Sequence, residues 1–408
     1  MSLDRPSGRR TVCIDCRYIR ERASGIGAVV QAIVDRVPRL APDLDFLLLK
    51  HPKAPGCLCT ADNATEVVVP EEANGPATLF FLPKVVDLRA ADLYHCPFNI
   101  LPHGLTMRTV VTVCDVMWLK SPQHARSPGW RGTVEQAFYQ HGTWRSLRHA
   151  TRIIAISRAT LSEIASLDEA AAGRTRVVLE GVSSDFRPLR ADERKNVLGE
   201  RRYVLTVGQH VGYKNHSGVL RAFATAFRDC PDVHLVLVQR LGDGKRALGG
   251  LADSLGIGHR VHFLHEVPLD DLVALYNGAI ALCHPSLVEG FGNPLVEAMA
   301  CGCPVVTSNR SSMPEVTGRA ALLVDPENPA DIARALVRIA FEPDLAEVMR
   351  RRGFRRAKEL SWDACARGTL AVYREALGTG CPKDVFRTTP VAAFAQRPDT
   401  LQIANTRI

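Results

Sequence analysis

The chain alternates short apolar runs with longer amphipathic segments, and this alternation occurs twice. In the first half, apolar runs such as 108–116 ("RTVVTVCDV") alternate with segments of helical periodicity such as 132–150. The alternation restarts at 203–209 ("YVLTVGQ") and continues to 304–308 ("PVVTS"). Alternating strands and helices are typical of parallel sheets joined by right-handed crossovers. The sequence therefore predicts an α/β protein with two Rossmann-like domains that face each other across a cleft.

The polar segment 183–196 lacks apolar periodicity and separates the two halves. We therefore predict five segments: an N-terminal Rossmann-like domain over 1–183, a linker over 184–199, a C-terminal Rossmann-like domain over 200–360, a helix over 361–378 that packs near the N-terminal domain, and a flexible tail over 379–408. The strands of the first half are predicted at 11–19, 44–50, 65–70, 92–97, 108–116, 150–157 and 175–182.

The composition of the 408 residues, 46% hydrophobic and 23% charged, is that of a globular protein. No run of about 18 apolar residues occurs, so no membrane-spanning helix is predicted. The first ten residues lack the apolar stretch of a signal peptide, and we expect a cytoplasmic protein. The net charge of +8 is spread along the chain, with a cluster at 350–358 that fits a solvated helix face. Scattered basic residues are compatible with peripheral contact with the inner membrane surface, whereas no nucleic-acid-binding signature is present.

The twelve cysteines give no indication of a metal site. The two close pairs, Cys57/Cys59 and Cys301/Cys303, have C-x-C spacing and not the C-x-x-C spacing of zinc or redox sites. Buried structural thiols are the favoured interpretation, since free cysteine packs as a small hydrophobic side chain. We therefore expect no metal and no bound cofactor.

The segment 284–306, "HPSLVEGFGNPLVEAMACGCPVV", carries two glutamates around a glycine-rich turn. A strand is predicted to end just before it, and ligands of parallel α/β sheets bind at the carboxyl ends of strands. Asn293 suits an N-cap and Pro294 the first helical position, so free N–H groups should face the cleft. Glu289 would lie on the loop and Glu297 one turn into the helix.

Two carboxylates beside an anion-binding helix start favour a ligand that carries both phosphate and vicinal hydroxyl groups. A carboxylate accepts strong, charge-assisted hydrogen bonds from hydroxyl groups. A nucleoside diphosphate sugar supplies a ribose, a diphosphate and a sugar ring. A solvent-facing connection between a strand and a helix is the alternative interpretation.

The cation that such a diphosphate needs is predicted at the first β-to-α turn of the second domain. The segment "TVGQHVGYKNHSGVLRAF" (206–223) runs from a strand through a glycine turn to Lys214 and then into a helix. In the first domain, Gly25 and Gly27 form a G-x-G turn in "ERASGIGAVVQ". A lone G-x-G is weak evidence, but it would place bare backbone across the cleft.

Taken together, these motifs resemble the retaining glycosyltransferases of family 4, which have the two-domain GT-B architecture. The most specific match is "EGFGNPLVEAMACGCPVVTSNRSSMPEV" (289–316), which is similar to the E-x7-E segment of that family. The family order is followed by "YHCPFNILP", "TVVTVCDVMWL", "IIAISRATLSEI", "VVLEGVSSDFRP" and "VGQHVGYKN". The resemblance covers residues 11 to 378.

The resemblance implies a metal-independent enzyme with a nucleotide-sugar donor as co-substrate. The domain over 200–360 would bind the nucleotide sugar, and the domain over 1–183 would form the acceptor side. Lys214 would pair with the diphosphate and Glu289 would contact the donor sugar, as the catalytic residues. Gly25 and Gly27 would border the donor and acceptor sites. The further donor-binding positions are Glu297 at the ribose, with Phe291, Gly292, Asn293, Gln209, Cys114 and Asp115.

The chain departs from the family pattern in three respects. The family often has His-Asp where this chain has Cys114 and Asp115, and a thiol is a poor hydrogen-bond donor. Where many members carry an arginine or lysine, this chain has Gln209 and Tyr213, so Lys214 would neutralise the phosphates with less help. The third departure is a glutamate at 180 in place of the common asparagine, and the sequence alone gives no account of it.

The predicted function is therefore transfer of a hexosyl or 6-deoxyhexosyl group, of mannosyl or rhamnosyl type, to a glycan or lipid-linked acceptor in cell-surface polysaccharide synthesis. Replacing a polar group by Cys114 would remove the penalty for a sugar with a methyl group at C6. Two alternatives stay open: a sugar-nucleotide-binding protein with little transferase activity, and a sugar-nucleotide epimerase of the same fold. Release of nucleoside diphosphate from a nucleotide sugar separates the transferase from the binding protein.

Overall fold

Two parallel β-sheets form the framework of the molecule. The computed structural model describes residues 8–379 apart from 22–24, 126–128, 194, 196 and 239–243. Within these residues the first sheet has seven strands in the order β3-β2-β1-β4-β5-β6-β7, and the second has six in the order β10-β9-β8-β11-β12-β13. The strands are β1 (Arg10–Asp15), β2 (Leu44–Lys50), β3 (Ala64–Val68), β4 (Leu93–Cys96), β5 (Arg108–Val113), β6 (Arg152–Ala155), β7 (Thr175–Val177), β8 (Arg202–Val207), β9 (Val233–Val238), β10 (Val261–Leu264), β11 (Ala281–His284), β12 (Val305–Ser308) and β13 (Ala321–Val324).

Helices connect most successive strands, as the alternation in the sequence predicts, whereas loops join β2 to β3 and β4 to β5. They are α1 (Gly25–Leu40), α2 (Pro76–Val85), α3 (Met117–Lys120), α4 (Pro122–Ala125), α5 (Gly129–His149), α6 (Arg158–Leu167), α7 (Glu169–Gly173), α8 (His216–Ala226), α9 (Gly244–Ser254), α10 (Leu269–Gly278), α11 (Asn293–Ala300), α12 (Met313–Thr317), α13 (Pro329–Phe341), α14 (Pro343–Glu359) and α15 (Trp362–Leu377). The predicted α/β class with two parallel sheets is confirmed.

The strand order of each sheet reverses at a central pair of strands. In the first sheet β1 pairs with β2 on one side and β4 on the other, and in the second β8 pairs with both β9 and β11. Ligands of open parallel sheets bind at the carboxyl ends of the strands beside such a switch point. A ligand site is therefore expected at the loops that follow β8 and β11.

The prediction of a strand over 11–19 was too long, because a buried ion pair turns the chain after β1. Arg17 Nη2 donates to Asp15 Oδ2 at 2.6 Å, and Tyr94 Oη donates to the same oxygen at 2.8 Å. Neither side chain of the ion pair is more than 1% exposed. The Arg17 N–H also donates to Asp15 Oδ1 at 3.3 Å and the Ile19 N–H donates to the Cys16 carbonyl at 2.9 Å, so the backbone turns here and the strand ends.

Some elements were not predicted from the sequence. Helix α2 contains Pro76 and Pro83 and has no clear apolar stripe, since Phe80 and Phe81 on it are exposed. The pattern also gave no strand at β13 and no helix over α13. The cluster 350–358 lies on α14.

The last helix packs against the first sheet, although it follows the second sheet in sequence. Residues of α15 such as Val372 and Tyr373 are buried in the core of β1, β2 and α1. Tyr373 Oη lies 2.7 Å from His95 Nδ1, and Arg10 Nη1 donates to the Leu377 carbonyl at 2.7 Å. The segment before β8 lies against the second sheet, where Phe186 contacts the ring of Tyr276. The domain and linker boundaries stay predictions, and the predicted tail lies outside the described residues except for residue 379.

Among the residues that the structure describes, no helix is long and apolar enough to cross a membrane. The cysteines in this part of the chain are all unpaired. Cys301 and Cys303 are buried as expected, whereas in the other close pair Cys59 is buried and Cys57 is exposed.

Candidate active site

Lys214 stands directly after β8, at the carboxyl edge of the second sheet. Gly208 leaves the strand with φ of 149°, a conformation that side chains rarely adopt. A single 3-10 turn over Gly212–Lys214 follows, and Asn215 then caps α8 by accepting a hydrogen bond from the Gly218 N–H. The turn and the cap together fix where the Lys214 side chain leaves the backbone.

A buried cluster joins the loops after β8 and β11. Lys214 Nζ donates to Glu289 Oε1 at 2.6 Å, and His284 Nε2 lies 2.8 Å from the same oxygen. Ser286 Oγ lies 3.2 Å from His284 Nε2. The structure therefore brings Lys214 and Glu289 into contact, although 75 residues separate them in sequence.

The electrostatics of this cluster keep Glu289 ionised. Burial opposes the charged form, but the Lys214 ammonium and the hydrogen bond from His284 outweigh it and hold the pKa of Glu289 at about 2. Burial also lowers the pKa of His284, against the pull of Glu289. The cluster thus holds one fixed carboxylate and one cation whose side chain is 13% exposed.

Two serines fix the backbone of the glycine-rich loop. Ser311 Oγ and Ser312 Oγ donate to the Glu289 carbonyl at 2.6 and 2.9 Å. Ser312 Oγ also lies 2.9 Å from the Phe291 carbonyl. Phe291 itself is buried, with its ring in the core of the second sheet. The two serines therefore hold the loop on the side of the second sheet, and the opposite side of the loop faces the first sheet.

The same loop meets the first sheet at Gly290. An ideal Cβ built on Gly290 would lie 2.1 Å from the Cys114 carbonyl oxygen and 3.2 Å from Ile156 Cδ1. Cys114 follows β5 and Ile156 follows β6, at the carboxyl edge of the first sheet. Only a glycine permits this approach between the two edges.

Glu297 lies one turn into α11, as predicted. Tyr276 Oη donates to Glu297 Oε2 at 2.7 Å. Burial raises the pKa of Glu297 to about 7, although the tyrosine hydrogen bond and the Lys214 charge both lower it. A carboxyl group in this state gains from any ligand that donates hydrogen bonds to its ionised form.

The expected N-cap at Asn293 is wrong by one residue. Gly292, with φ of 102°, is the N-cap of α11 and Asn293 is already helical. The Asn293 side chain instead hydrogen-bonds the Glu180 carboxyl across the domains. Its Oδ1 is buried and has no hydrogen-bond partner in the described part of the chain.

The remaining predicted positions divide into two groups. Cys114 and Asp115 lie at the cleft, where burial raises the pKa of Asp115 and the nearby Glu289 raises it further. Gly25 also faces the cleft, because its ideal Cβ would lie 3.9 Å from Asn293 Nδ2. The expected G-x-G turn is wrong, since Gly25 and Gly27 both belong to the first turn of α1. Gln209 is exposed after β8 and is not part of the Lys214 cluster.

The sequence analysis missed His284, Tyr276 and the two serines of the loop. His284 was read only as the end of a strand, although a histidine just before "PS" at the carboxyl end of a buried strand is an available signal. Tyr276 is fully buried in α10, and its hydroxyl group needs a partner there. No sequence signal identifies Glu297 as that partner.

No group of three or more histidine, cysteine, aspartate or glutamate side chains in the described residues is placed to hold a metal ion.

Comparison with known proteins places this geometry in a family. Residues 190–356 match the model of the family described as glycosyl transferases group 1. An O-antigen chain mannosyltransferase B of Escherichia coli is 31% identical over 288 residues, which are 69% of this chain and 74% of that protein. An MMP alpha-(1->4)-mannosyltransferase of Mycolicibacterium hassiacum is 32% identical over 67% of this chain, and the match spans only 64% of that relative.

Solved structures show the same architecture. A sucrose-phosphate synthase of Thermosynechococcus elongatus superposes with a TM-score of 0.69 at 20% identity, covering 91% of this chain and 100% of that one. The glycosyltransferase WaaG, described as involved in lipopolysaccharide biosynthesis, gives a TM-score of 0.68 at 17% identity over 88% of this chain and 99% of its own. The fold is thus GT-B. Since the match to the Escherichia coli protein spans most of both sequences, the chain belongs to the glycosyl transferases group 1 and is a glycosyltransferase.

Proposed function

We propose that the protein is a retaining glycosyltransferase of family 4. It moves a hexosyl or 6-deoxyhexosyl group, of mannosyl or rhamnosyl type, from a nucleoside diphosphate sugar to a glycan or lipid-linked acceptor. The pathway that fits is cell-surface polysaccharide synthesis. Two mannosyltransferases among the relatives, one of them an O-antigen chain enzyme, support the sugar and the pathway.

The observation that carries the proposal is the contact between Lys214 and Glu289 at the switch point of the second sheet. A cation suits a diphosphate, and a carboxylate of low pKa suits the hydroxyl groups of a sugar ring. Glu297, half-buried on the neighbouring helix, suits the two hydroxyl groups of a ribose. The three groups match the three parts of a nucleoside diphosphate sugar.

The chemistry follows from where charge develops. As the bond between the sugar C1 and the phosphate oxygen breaks, negative charge grows on the diphosphate, and the Lys214 ammonium is preorganised to meet it. Glu289 is held by Lys214 and His284, so we assign it to binding the sugar and not to forming a covalent bond. The acceptor oxygen then attacks from the side of the leaving group, and its proton passes to the departing phosphate. Because the acceptor enters and the diphosphate leaves on the same face of the sugar, the configuration at C1 is retained.

The proposed lipid-linked acceptor indicates where in the cell the enzyme works. A cytoplasmic nucleotide sugar and a lipid-linked acceptor meet at the inner face of the membrane, so we propose a cytoplasmic enzyme that makes peripheral contact there. The net charge of +8 would assist contact with anionic lipid.

The proposal is tested with a panel of GDP- and UDP-linked hexoses and 6-deoxyhexoses, with and without lipid-linked acceptors. The expected result is release of nucleoside diphosphate and transfer with retention, read by mass spectrometry and by NMR of the anomeric proton. Binding of nucleotide sugars without any release would favour the sugar-nucleotide-binding alternative. An inverted product would overturn the assignment of the mechanism.

Replacing Glu297 with alanine should weaken the binding of both the full donor and the free nucleoside diphosphate. A hydrogen bond to a charged group is worth about 1.5–3 kcal/mol, which corresponds to roughly ten- to a hundredfold in affinity. The measurement is titration calorimetry with GDP and UDP. Tyr276→Phe is the matched control, since it removes the hydrogen bond to Glu297 and leaves the carboxyl group in place. Unchanged affinity in Glu297→Ala would remove Glu297 from the ribose site.

Replacing Cys114 with histidine should shift donor choice from 6-deoxy toward 6-hydroxy sugars. Burial raises the pKa of the Cys114 thiol, as do the nearby charges of Glu180 and Asp115, so the thiol is neutral and offers a hydroxyl group little. The measurement is competition between GDP-rhamnose and GDP-mannose. Cys57→His, at an exposed cysteine, is the control. A native preference for the 6-hydroxy donor, or a ratio that the histidine leaves unchanged, would contradict the idea.

A further inference from the structure

Glu180 is a buried carboxyl group between the two sheets. It follows β7 at the carboxyl edge of the first sheet, and it is 6% exposed. Its side chain is hydrogen-bonded by Asn293, which belongs to the first turn of α11 on the second sheet. Burial, only partly offset by that hydrogen bond, raises the pKa of Glu180 to about 7. A carboxyl group that is costly to bury in this way needs a reason to be here.

Asn293 supplies the second observation. Its side-chain oxygen is buried and has no hydrogen-bond partner among the described residues, although a buried polar atom usually has one. The Gly25 backbone lies beside this amide, since an ideal Cβ on Gly25 would lie 3.9 Å from Asn293 Nδ2. The Glu180–Asn293 pair therefore has more hydrogen-bond acceptors than donors.

We propose that Glu180 and Asn293 together bind hydroxyl groups of a sugar ring in the transfer reaction, and that they set which sugar is accepted. The inference rests on the proposed function. The carboxylate and amide oxygens of this pair would repel a phosphate and attract the O–H groups of a sugar. A sugar can donate to Asn293 Oδ1 and to the carboxylate at once, which would satisfy both buried groups.

The carboxyl group at position 180 then has a physical role. An asparagine there would offer one acceptor oxygen and no charge, whereas Glu180 offers two oxygens and a charge-assisted hydrogen bond. A site built to pair a hydroxyl group rejects an analogue that lacks it, because the buried polar atoms are left without partners. Burying Glu180 therefore costs free energy, but the carboxyl group makes the selection of the sugar stricter.

The test compares the donor with its sugar-free part. In the full-length protein, Glu180→Gln keeps the shape of the side chain and removes its charge. We expect it to weaken the binding of GDP-mannose, or of the GDP- or UDP-sugar that the wild type prefers, by about ten- to a hundredfold. Binding of GDP or UDP alone should change less than twofold. Glu375→Gln is the matched control, since Glu375 pairs with Arg152 at the opposite edge of the first sheet.

The sugar could be that of the donor or that of the acceptor, and the two arms of the experiment separate them. Weaker binding of the nucleotide sugar in the absence of acceptor assigns the Glu180–Asn293 pair to the donor sugar. A raised KM for the acceptor, with unchanged donor binding, assigns it to the acceptor sugar. If Glu180→Gln alters neither while GDP or UDP still binds, the inference is wrong and the proposed function stands. If the wild type binds neither nucleotide, the proposed function fails first.

Donors that lack single hydroxyl groups make the test independent of folding. The donor that lacks the hydroxyl group bound by Glu180 should bind the wild type as weakly as the parent donor binds Glu180→Gln. The affinity of this deoxy donor should not fall further in Glu180→Gln. If the two losses of affinity simply add for every deoxy donor, Glu180 contacts no hydroxyl group of the donor sugar. Thermal unfolding of Glu180→Gln at pH 8 should match or exceed that of the wild type, because a neutral amide costs less to bury than a carboxylate.

Discussion

Replacing Lys214 with alanine is expected to lower kcat by about a hundredfold or more. The ammonium group meets negative charge that grows as the diphosphate departs, and one preorganised electrostatic contact of this kind is often worth that much. The affinity for the donor should fall less than kcat, because the contact strengthens in the transition state. The measurement is the steady-state rate of nucleoside diphosphate release with GDP-mannose or the best donor of the panel.

The variant also leaves Glu289 buried without its cation. Only His284 then opposes the burial cost, so the pKa of Glu289 should rise and the protein should lose stability as well as activity. Lys214→Arg keeps the charge and should recover part of the rate if the charge is what matters. Lys195→Ala is the control, since Lys195 is an exposed lysine that pairs with Asp271. Normal turnover in Lys214→Ala would mean that another cation holds the phosphates.

The sequence predicted the architecture because that part of the information is local. Apolar runs of strand length and helical stripes alternate in order, and a parallel sheet with crossover helices is the structure in which such an order buries its apolar faces. The motif "EGFGN" also lies where a strand ends, so a site near Glu289 could be expected. The exact ends of strands could not, because β1 stops at the Asp15–Arg17 pair, a contact of side chains within a turn.

The sequence could not predict the partners within the site. Glu289 contacts Lys214 and His284 because β8 and β11 are adjacent, and that adjacency depends on the strand order of the sheet. Hydrophobic patterns place a segment in a sheet but do not order the strands. The buried tyrosine that binds Glu297 comes from α10, and its residue type alone does not distinguish a ligand-site partner from a core side chain.

The contact of Glu180 with Asn293 was still less accessible, since it depends on how the two sheets meet. Each residue is an ordinary polar residue in its own segment. The pairing arises because the carboxyl edge of the first sheet, after β7, faces the start of α11. The hydrophobic periodicity of a sequence does not show which surfaces of two domains will meet. The glutamate at position 180 could therefore not be explained from the sequence, and only the structure shows that Asn293 is its neighbour.

Replacing Gly290 with alanine is expected to lower kcat by about a hundredfold while leaving both sheets folded. The new Cβ would lie 2.1 Å from the Cys114 carbonyl oxygen, and side-chain carbons essentially never come closer than 3.0 Å to such an atom. That oxygen belongs to the backbone, so the loop must retreat by about 1 Å. Glu289 is the preceding residue, and a misplacement of about 1 Å at a catalytic group can cost a hundredfold in rate.

The pattern of the loss distinguishes misplacement from unfolding. Binding of GDP or UDP should be nearly unchanged in Gly290→Ala. Lys214 lies in the turn after β8 and Glu297 lies in α11, and the new methyl group displaces neither side chain. Gly249→Ala is the matched control, because an ideal Cβ at Gly249 in α9 meets nothing within 4 Å and alanine favours a helix. If Gly290→Ala turned over normally, the close approach of the two edges would not matter for catalysis. If it lost GDP and UDP binding together with activity, the second sheet itself would be disturbed, and the argument from the domain interface would fail.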